Sequence, residues 1–437
     1  MDSAAEPQSN PGLLELEKET PDKDSATGDG IGATEATPAH SLAPDGGFRA
    51  WMAAVGSSCV LFCTMGFMNS SGVFQAYYMT TLLAENTPDD IAWIISLQAF
   101  LIFFCGILGG PLFDRFGVWT LRPAAVLYVL SFIATSFCIE YWHFMLSQGV
   151  LMGVSNGMLM FPSMAALSHW WDKSRGKAMG IAIAGSSAGG IVWPAVLTQL
   201  FDSSLGFGWS MRICGLAMIP ILTIAFFATT ARLPPKQTTL FTLEPFRNKV
   251  FLALITAQFL LFMGMFVPIF YLAAYAENRG MSSTLAAYLI AILNGASLPG
   301  RIIPGVLADK FGRLNILFAS GLSTGIVILC WNQATTDAGI IVYAVVFGFC
   351  SGAIISGGSV ALTVATADPT KTGTYLGMGM ATVSIAVLIT PPINGAILDQ
   401  YGGFSQISTM NGILCLGGTA GILVTKMVSK EGIWSRS

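Results

Sequence analysis

The stretch GPLFDRFG at residues 110–117 returns as GVLADKFG at residues 305–312, 195 positions further along the chain. Each copy follows a long apolar run and places a glycine, an aspartate, a basic residue and a second glycine in the same order. Further landmarks recur at offsets of 195 and 197 residues: Gly153 and Gly157 with Gly348 and Gly352, then Gly176, Gly180 and Pro194 with Gly373, Gly377 and Pro391. Matched landmarks in one order predict two parallel halves related by an axis along the membrane normal.

Composition places most of the chain in a membrane. Of its 437 residues, 53% are hydrophobic and 10% are charged, whereas a soluble domain carries about 25% charged residues. Apolar stretches long enough to cross about 30 Å of hydrocarbon recur twelve times, at roughly 50–79, 91–113, 120–139, 143–168, 176–200, 208–230, 250–275, 283–308, 314–333, 338–366, 373–397 and 404–427. These stretches, called segments 1 to 12, predict an all-α membrane protein with twelve transmembrane helices. The six-helix halves are 45–230 and 250–427, joined by a cytoplasmic central loop at 231–249.

Positive charge follows the same topology. With both termini cytoplasmic, 18 of the 21 Lys and Arg residues fall in inner loops and tails: Lys18, Lys23, Arg49, Arg115, Arg122, Lys173, Arg175, Lys177, Arg232, Lys236, Arg247, Lys249, Lys310, Arg313, Lys371, Lys426, Lys430 and Arg436. The outer loops hold only Arg279, and two arginines lie within segments. This bias is what the positive-inside rule predicts. We therefore expect cytoplasmic tails at 1–44 and 428–437, the first of which is rich in Ser, Pro, Gly and acids and is predicted to be disordered.

The repeated stretch resembles the signature loop of the major facilitator superfamily, G-x-x-x-D-(R/K)-x-G-(R/K). The second copy continues with Arg313, whereas the first has Val118 at that position. Glycines let neighbouring helices approach closely, and an aspartate at a helix end can pair with a basic residue and a nearby helix N-terminus. The resemblance implies the major facilitator fold and an inner latch between the halves; a simple cytoplasmic turn anchor is the structural alternative. The gating residues would be Gly110, Asp114, Arg115, Gly117, Gly305, Asp309, Lys310, Gly312 and Arg313.

Within the superfamily, DGGFRAW at 45–51 resembles the entry motif of the monocarboxylate-porter family. The stretches at 170–171, 175–178, 271–275, 293–297 and 300–301 resemble its fungal branch. The family's animal lactate carriers have a lysine late in segment 1 and an aspartate one turn before the segment 8 arginine. Here NSSG stands at 69–72 and Ser297 stands before Arg301, so lactate symport is doubtful. The R-x-x-Q-G element of drug–proton antiporters is also absent, since Met145 replaces its arginine.

Arg301 is the sharpest candidate for substrate binding. An arginine within a span costs about 2.5–3.5 kcal/mol on insertion scales, so it should face a cavity or a partner. It stands eight residues before Asp309, which is about 12 Å along a helix. It could anchor an anionic or carbonyl-bearing substrate, or it could satisfy carbonyls freed by Pro299 and Pro304.

Other polar residues within segments could line the same cavity. Asn294 lies two turns from Arg301 and roughly on its face, and Asn69, Asn156 and Tyr271 are further candidates, although interhelical hydrogen bonds are the commoner use of such residues. Arg212 is a candidate early in segment 6, where snorkelling to the interface explains it as well. No Asp or Glu lies in the predicted bilayer core, so a proton-coupling group is not apparent.

Small residues and prolines mark predicted rocking seams, which tight static packing would also explain. Segment 5 carries Gly185, Gly189 and Pro194, and segment 11 carries Gly373, Gly377, Pro391 and Pro392. Small residues permit close crossing of helices, and proline frees carbonyls and allows bending.

These features favour a secondary transporter that works by alternating access at the plasma membrane. The leading interpretation is efflux of a fungal secondary metabolite, because the fungal branch is broad in substrate and the acid-free path suits a bulky, weakly acidic or neutral compound. Uptake of a monocarboxylate or vitamin-like nutrient is the alternative, and a transport-fold sensor is a third. An enzyme is not expected, because His, Asp, Glu and Cys do not converge in the sequence. The expected partners are a small organic substrate and the lipid bilayer, with no nucleic acid, no cofactor, no metal and a monomeric state.

Overall fold

The computed structural model describes residues 43–232, 244–366 and 371–429. Within these ranges the chain is helical, with short connections and no β-strand. Most of the predicted tails at 1–44 and 428–437, and most of the central loop at 231–249, lie outside the described residues. The predicted all-α membrane fold is confirmed.

Each predicted segment corresponds to a helical stretch. Their bounds are Phe48–Leu82, Pro88–Phe116, Leu121–Thr135, Tyr141–Ser168, Arg175–Phe201, Gly206–Ala228, Lys249–Asn278, Ser283–Phe311, Arg313–Leu329, Asp337–Leu362, Thr372–Tyr401 and Phe404–Val428. Segment 1 comprises Phe48–Cys63, Met65–Met68, Ser71–Tyr77 and a π-helical turn at Tyr78–Leu82, and segment 2 is interrupted at Cys105. Segment 4 comprises Tyr141–Phe144, a π-helical stretch at Met145–Met152, and Gly153–Ser168. The shorter helices are Gly117–Thr120, Glu244–Arg247, Trp331–Gln333 and Thr363–Ala365.

Length and composition alone qualify ten stretches of the described chain as membrane spans. One of them, Asp90–Thr135, is 46 residues long, about 69 Å as helix. That is more than twice the hydrocarbon thickness, and it contains segments 2 and 3 together. Arg313–Leu329 is a further apolar helix just below the length limit, so the ten stretches accommodate the twelve predicted segments.

Local sequence sets several helix starts. Thr87 accepts a hydrogen bond from the Asp90 backbone N–H while the Asp90 carboxylate accepts one from the Thr87 N–H, a capping box with Pro88 at the first helical position. Asn248 caps segment 7 and Thr336 caps segment 10 through side-chain oxygens that accept backbone N–H groups. Each cap satisfies an N–H that has no intrahelical partner.

A single residue separates segments 8 and 9. Gly312 has φ +97°, a conformation that costs an L side chain steric strain. Because the chain must reverse within that one residue, the second signature glycine is a conformational requirement of the turn.

Packing within the halves follows the internal repeat. A Cβ on Gly153 of segment 4 would lie 3.0 Å from the Gln98 carbonyl oxygen on segment 2, and a Cβ on Gly352 of segment 10 would lie 2.8 Å from that of Ser297 on segment 8. Absent side chains therefore let segments 2 and 4, and likewise segments 8 and 10, pack at backbone contact. The glycines matched by the repeat therefore have the same packing role in each half.

Candidate functional site

A cavity of about 570 Å³ is lined by residues of both 45–230 and 250–427, the two predicted halves, called here the first and the second half. Its walls include Arg301 and Ser351 and extend to Thr80, Asp202 and Glu277, at the ends of segments 1, 5 and 7 that lie away from the signature loops. That volume falls within the usual range for small-molecule sites. The cavity can hold an organic molecule of drug-like size.

Arg301 is a buried cation in the cavity wall, with 5% of its surface exposed. Its Nε donates to the Ser297 hydroxyl at 3.1 Å, one turn back on the same helix. Its Nη1 donates to the Ile183 carbonyl at 3.0 Å and to the Ser186 hydroxyl, both on segment 5 of the other half. Within the described chain, Arg301 forms no salt bridge. The cavity wall therefore carries a positive charge that is hydrogen-bonded but has no acidic partner there.

Two asparagine amides share the cavity with this arginine. Asn294 donates to the Ile290 carbonyl at 3.0 Å and Asn69 donates to the Met65 carbonyl at 2.9 Å, both one turn back on their own helices. A Cβ on Gly190 would lie 2.9 Å from both the Asn294 Oδ1 and the Asn69 Nδ2. The bare backbone of Gly190 therefore gives the two amides, one from each half, room side by side.

Aromatic side chains form much of the remaining wall. Phe103 of the first half meets Phe262 of the second edge to face, with ring centroids 6.4 Å apart. Phe262, Phe266 and Phe270 continue along segment 7 with centroid separations of 5.7 and 5.9 Å. The cavity thus combines an apolar body with a few polar groups, the usual composition of an organic-ligand site.

Three residues predicted from sequence for the cavity lie outside its walls. Tyr271 donates to the Pro391 carbonyl at 3.1 Å, joining segments 7 and 11. Asn156 is fully buried, and neither of its amide atoms has a hydrogen-bond partner among the described residues. Arg212 donates to the Ser136 hydroxyl at 3.0 Å and lies over the rings of Phe137 and Trp209.

The second signature loop contacts the start of segment 5. The two carboxylate oxygens of Asp309 accept hydrogen bonds from the backbone N–H groups of Gly176 and Lys177, each at 2.8 Å. These N–H groups belong to the first turn of a helix, where unpaired donors and the helix dipole favour an anion. Arg313 donates to the Asp172 carbonyl at 2.9 Å, and Lys310 is exposed. This loop therefore links the two halves.

The first signature loop contacts the start of segment 11. The Asp114 carboxylate accepts from the Thr374 hydroxyl at 3.1 Å, and both side chains are buried. A Cβ on Gly110 would overlap the Gly373 carbonyl oxygen. Gly117 ends the helix with φ +61°, and Arg115 is exposed with its guanidinium over the Phe116 ring.

The glycines predicted as rocking seams divide into two groups. Gly373 and Gly377 of segment 11 lie between the halves, against Gly110 and Gly106 of segment 2. In segment 5, a Cβ on Gly185 would instead overlap the Ser58 carbonyl, and one on Gly189 that of Phe62, so both glycines pack against segment 1. Gly185 and Gly189 therefore lie within the first half and not between the halves, and the hinge role predicted for them stays a prediction.

Toward the signature loops, Gly176 and Gly180 of segment 5 do lie between the halves. A Cβ on Gly180 would lie 2.6 Å from the Arg301 carbonyl oxygen, and a Cβ on Gly305 would lie 2.5 Å from that of Gly176. The repeat offset of 197 residues, which pairs these glycines with Gly373 and Gly377, was the signal for this role. Pro194 lines the cavity, whereas Pro391 and Pro392 lie within segment 11.

The entry motif packs onto the loop between segments 4 and 5. The Asp45 carboxylate accepts from the backbone N–H groups of Asp172 and Ser174 at 2.7 and 3.1 Å. Trp171 donates its indole N–H to the Ala50 carbonyl at 3.2 Å and meets the Trp51 ring edge to face. The motif therefore supports the loop that presents the first turn of segment 5 to Asp309.

His169 directly follows segment 4, beside this loop. Burial, then the charges of Arg232 and Arg175, lower its pKa to about 4. Its imidazole is therefore neutral near pH 7, and its carbonyl accepts from Arg232 at 2.8 Å. Within the described ranges, no three His, Cys, Asp or Glu side chains group closely enough to hold a metal ion.

Known proteins share this fold. The solved structure of a fucose–proton symporter in the outward conformation matches with a TM-score of 0.68 at 16% identity, over 86% of this chain and 98% of that one. The human organic anion transporter MFSD10 matches with a TM-score of 0.67 at 14% identity, over 85% of this chain and 98% of that one. At such identities the likeness concerns the fold alone.

Sequence comparison identifies nearer relatives. The aspyridones efflux protein of Emericella nidulans is 45% identical over 389 residues, 89% of this chain and 80% of that protein. The agnestins efflux protein of Paecilomyces divaricatus is 38% identical, over 88% of this chain and 89% of that protein. The family model described as Major Facilitator Superfamily matches residues 57–331 and 296–433. The chain therefore belongs to the major facilitator superfamily of multi-pass membrane transporters.

Proposed function

We propose that the protein exports a fungal secondary metabolite, an organic acid with a bulky apolar body, by alternating access across the plasma membrane. The observation that carries the proposal is Arg301, a buried cation without an acidic partner in the described chain, in the wall of an aromatic cavity between the halves. An oxygen anion would gain charge-assisted hydrogen bonds there. The similarity to efflux proteins for aspyridones and agnestins supports the outward direction.

The position of the acidic residues in the cavity wall, far from Arg301, is compatible with an anionic substrate. In the described walls they are Asp202 and Glu277, at the far ends of segments 5 and 7. Asp202 is 16 residues beyond Ser186 on segment 5, or about 24 Å along the helix. An anion near Arg301 would therefore lie well away from these carboxylates.

The structure corresponds to an outward-open state if the signature loops are cytoplasmic, as the charge distribution predicts. The two signature loops and the glycine contacts close that end, and the cavity extends toward the other. On this orientation both termini lie in the cytoplasm, and residues 45–230 and 250–427 are the rocking halves. We further propose that the protein belongs to the fungal branch of the monocarboxylate-porter family, without the lactate chemistry of its animal relatives; the resemblance of the entry motif at 45–51 supports this proposal.

Deletion of the gene, with metabolite profiling of cells and medium, tests the proposal. We expect one acidic product to accumulate in the cells and to reappear in the medium when the wild-type gene is restored. The Arg301→Gln variant should fail to restore export, whereas Arg212→Gln should restore it, because Arg212 is an arginine of a membrane helix that lies off the cavity. Export by Arg301→Gln at the wild-type rate would refute the anion site, and a growth defect on an external carboxylate without product retention would favour uptake.

A further inference from the structure

The donors of Arg301 are divided between its own helix and the opposite half. Nε is held by Ser297, and Nη1 donates to the Ile183 carbonyl and the Ser186 hydroxyl. Only Nη2 has no hydrogen-bond partner among the described residues. In this conformation the first half of the transporter therefore occupies one of the two terminal nitrogens that an anion would use.

The position of these contacts ties them to the conformational change. Toward the signature loops, segments 5 and 8 are in backbone contact at Gly180 and Arg301, and then at Gly176 and Gly305. Toward the open end, Asn294 packs at Gly190. The Arg301 contacts therefore lie between the cavity and the seam that must part when the inner end opens. Parting of that seam withdraws the acceptors on segment 5 from the guanidinium.

We propose that Ser186 and the Ile183 carbonyl compete with the transported anion for Arg301, so that the site binds the anion weakly when outward-open and strongly when inward-open. The inference rests on the proposed function of Arg301 as the anion site. A carboxylate, enolate or phenolate oxygen is a stronger acceptor for guanidinium than a neutral hydroxyl or carbonyl. In the outward-open state, however, it must displace acceptors that the closed seam holds in place.

Thermodynamic coupling between closure of the inner seam and anion binding determines on which side of the membrane the anion is released. Because the two halves and the anion use the same nitrogen, contacts that favour the outward-open state must weaken anion binding by the same factor. Closing the inner seam therefore returns Nη1 to segment 5 and promotes release of the anion on the outer side. Ser186 is a positioning residue that sets the difference in affinity between the two sides.

Spin labels on exposed residues of the two halves test the inference on the purified full-length protein. Lys173 and Phe311 lie at the signature-loop end, one in each half, and can be changed to Cys in a background whose eight native cysteines are replaced. The distance between the labels, measured by double electron–electron resonance, reports opening of the inner end. Ser186→Ala should shift the ratio of outward-open to inward-open molecules about 10- to 140-fold toward inward-open, the effect expected for one hydrogen bond to a charged group.

Ser187→Ala is the matched control. Ser187 is the next residue of the same helix, and its buried hydroxyl has no hydrogen-bond partner in the described chain. This variant should keep the wild-type distance distribution. Equal distributions for Ser186→Ala, Ser187→Ala and the wild type would overturn the competition.

An aromatic carboxylate tests the second half of the inference. 2-Naphthoate should lengthen the mean label distance in the wild type, whereas neutral 2-naphthamide should not, and Arg301→Gln should respond to neither. A wild-type distance that is unchanged or shorter in saturating 2-naphthoate would overturn the state-dependent affinity. The Ser186 comparison needs no substrate. If deletion of the gene caused no product retention while the Ser186→Ala shift was observed, the result would count against the proposed function alone.

Discussion

Replacement of Asp309 by asparagine should open the inner end of the transporter. The carboxylate accepts two backbone hydrogen bonds of 2.8 Å from the first turn of segment 5. Asparagine keeps one acceptor oxygen but places an NH₂ donor against the second N–H. It also removes the negative charge from a helix N-terminus.

The expected size of the effect follows from these contacts. A hydrogen bond to a charged group contributes about 1.5–3 kcal/mol and a neutral one about 0.5–1.5 kcal/mol, and the helix-terminus charge adds about 0.3–1 kcal/mol. Losing one bond and the charge should therefore cost the inner-closed state about 2–4 kcal/mol. That shifts the ratio of inner-closed to inner-open molecules about 30- to 700-fold.

The Lys173 and Phe311 label pair measures this ratio directly. Lys310→Gln is the control, because it removes a neighbouring exposed charge and should leave the ratio unchanged. Export by Asp309→Asn should fall, because the cycle would stall with the inner end open. A wild-type distance distribution in Asp309→Asn would refute the claim that these two hydrogen bonds hold the halves together.

Two further changes probe the packing and the pH dependence. Gly377→Ala places a methyl group in overlap with the Gly106 carbonyl oxygen and should reduce export severely. The control Gly395→Ala, on the same helix, places its methyl group 3.6 Å from the Tyr271 hydroxyl and should be tolerated. Equal export rates for the two variants would contradict close packing of segments 2 and 11 as a requirement for transport. Burial, then the charge of Arg232 and of a second arginine, lowers the pKa of His169 from 6.5 to about 4. The folded state therefore binds this proton less readily than the unfolded state, and the associated stability is complete above pH 6.5 and lost as pH falls toward 4. At pH 5 this loss is roughly 2 kcal/mol. Thermal unfolding should therefore show a smaller fall in stability between pH 7 and pH 5 for His169→Gln than for the wild type. An equal fall in the two proteins would contradict the lowered pKa of His169.

The fold was predictable from sequence because each repeated residue of the signature loops has a single structural role at its position. An aspartate beside a helix end, followed by a glycine that must reverse the chain, indicates the same turn in both halves. The pairing of Asp309 with a helix N-terminus could therefore be expected before its partner was known. The spans were equally clear, because hydrocarbon thickness fixes their length.

The cavity was only partly predictable, because a polar residue in a membrane helix does not reveal which way that helix is rotated. Asn69, Asn294 and Arg301 line the cavity, whereas Asn156 and Tyr271 face neighbouring helices. The apolar wall had no sequence signal, since an aromatic residue suits lipid, packing and substrate alike.

The two seams between the halves differ in a way that sequence symmetry conceals. Segments 2 and 11 meet through glycines, with Gly106 and Gly110 against Gly377 and Gly373. Segments 5 and 8 also meet through glycines, but that seam continues through Arg301 into the cavity wall. A ligand can bias a conformational equilibrium only through groups whose contacts differ between the two states. Because Arg301 contacts segment 5 and also lines the cavity, substrate binding should act on the seam of segments 5 and 8. Segments 2 and 11 should then provide the close packing about which the halves are predicted to rock.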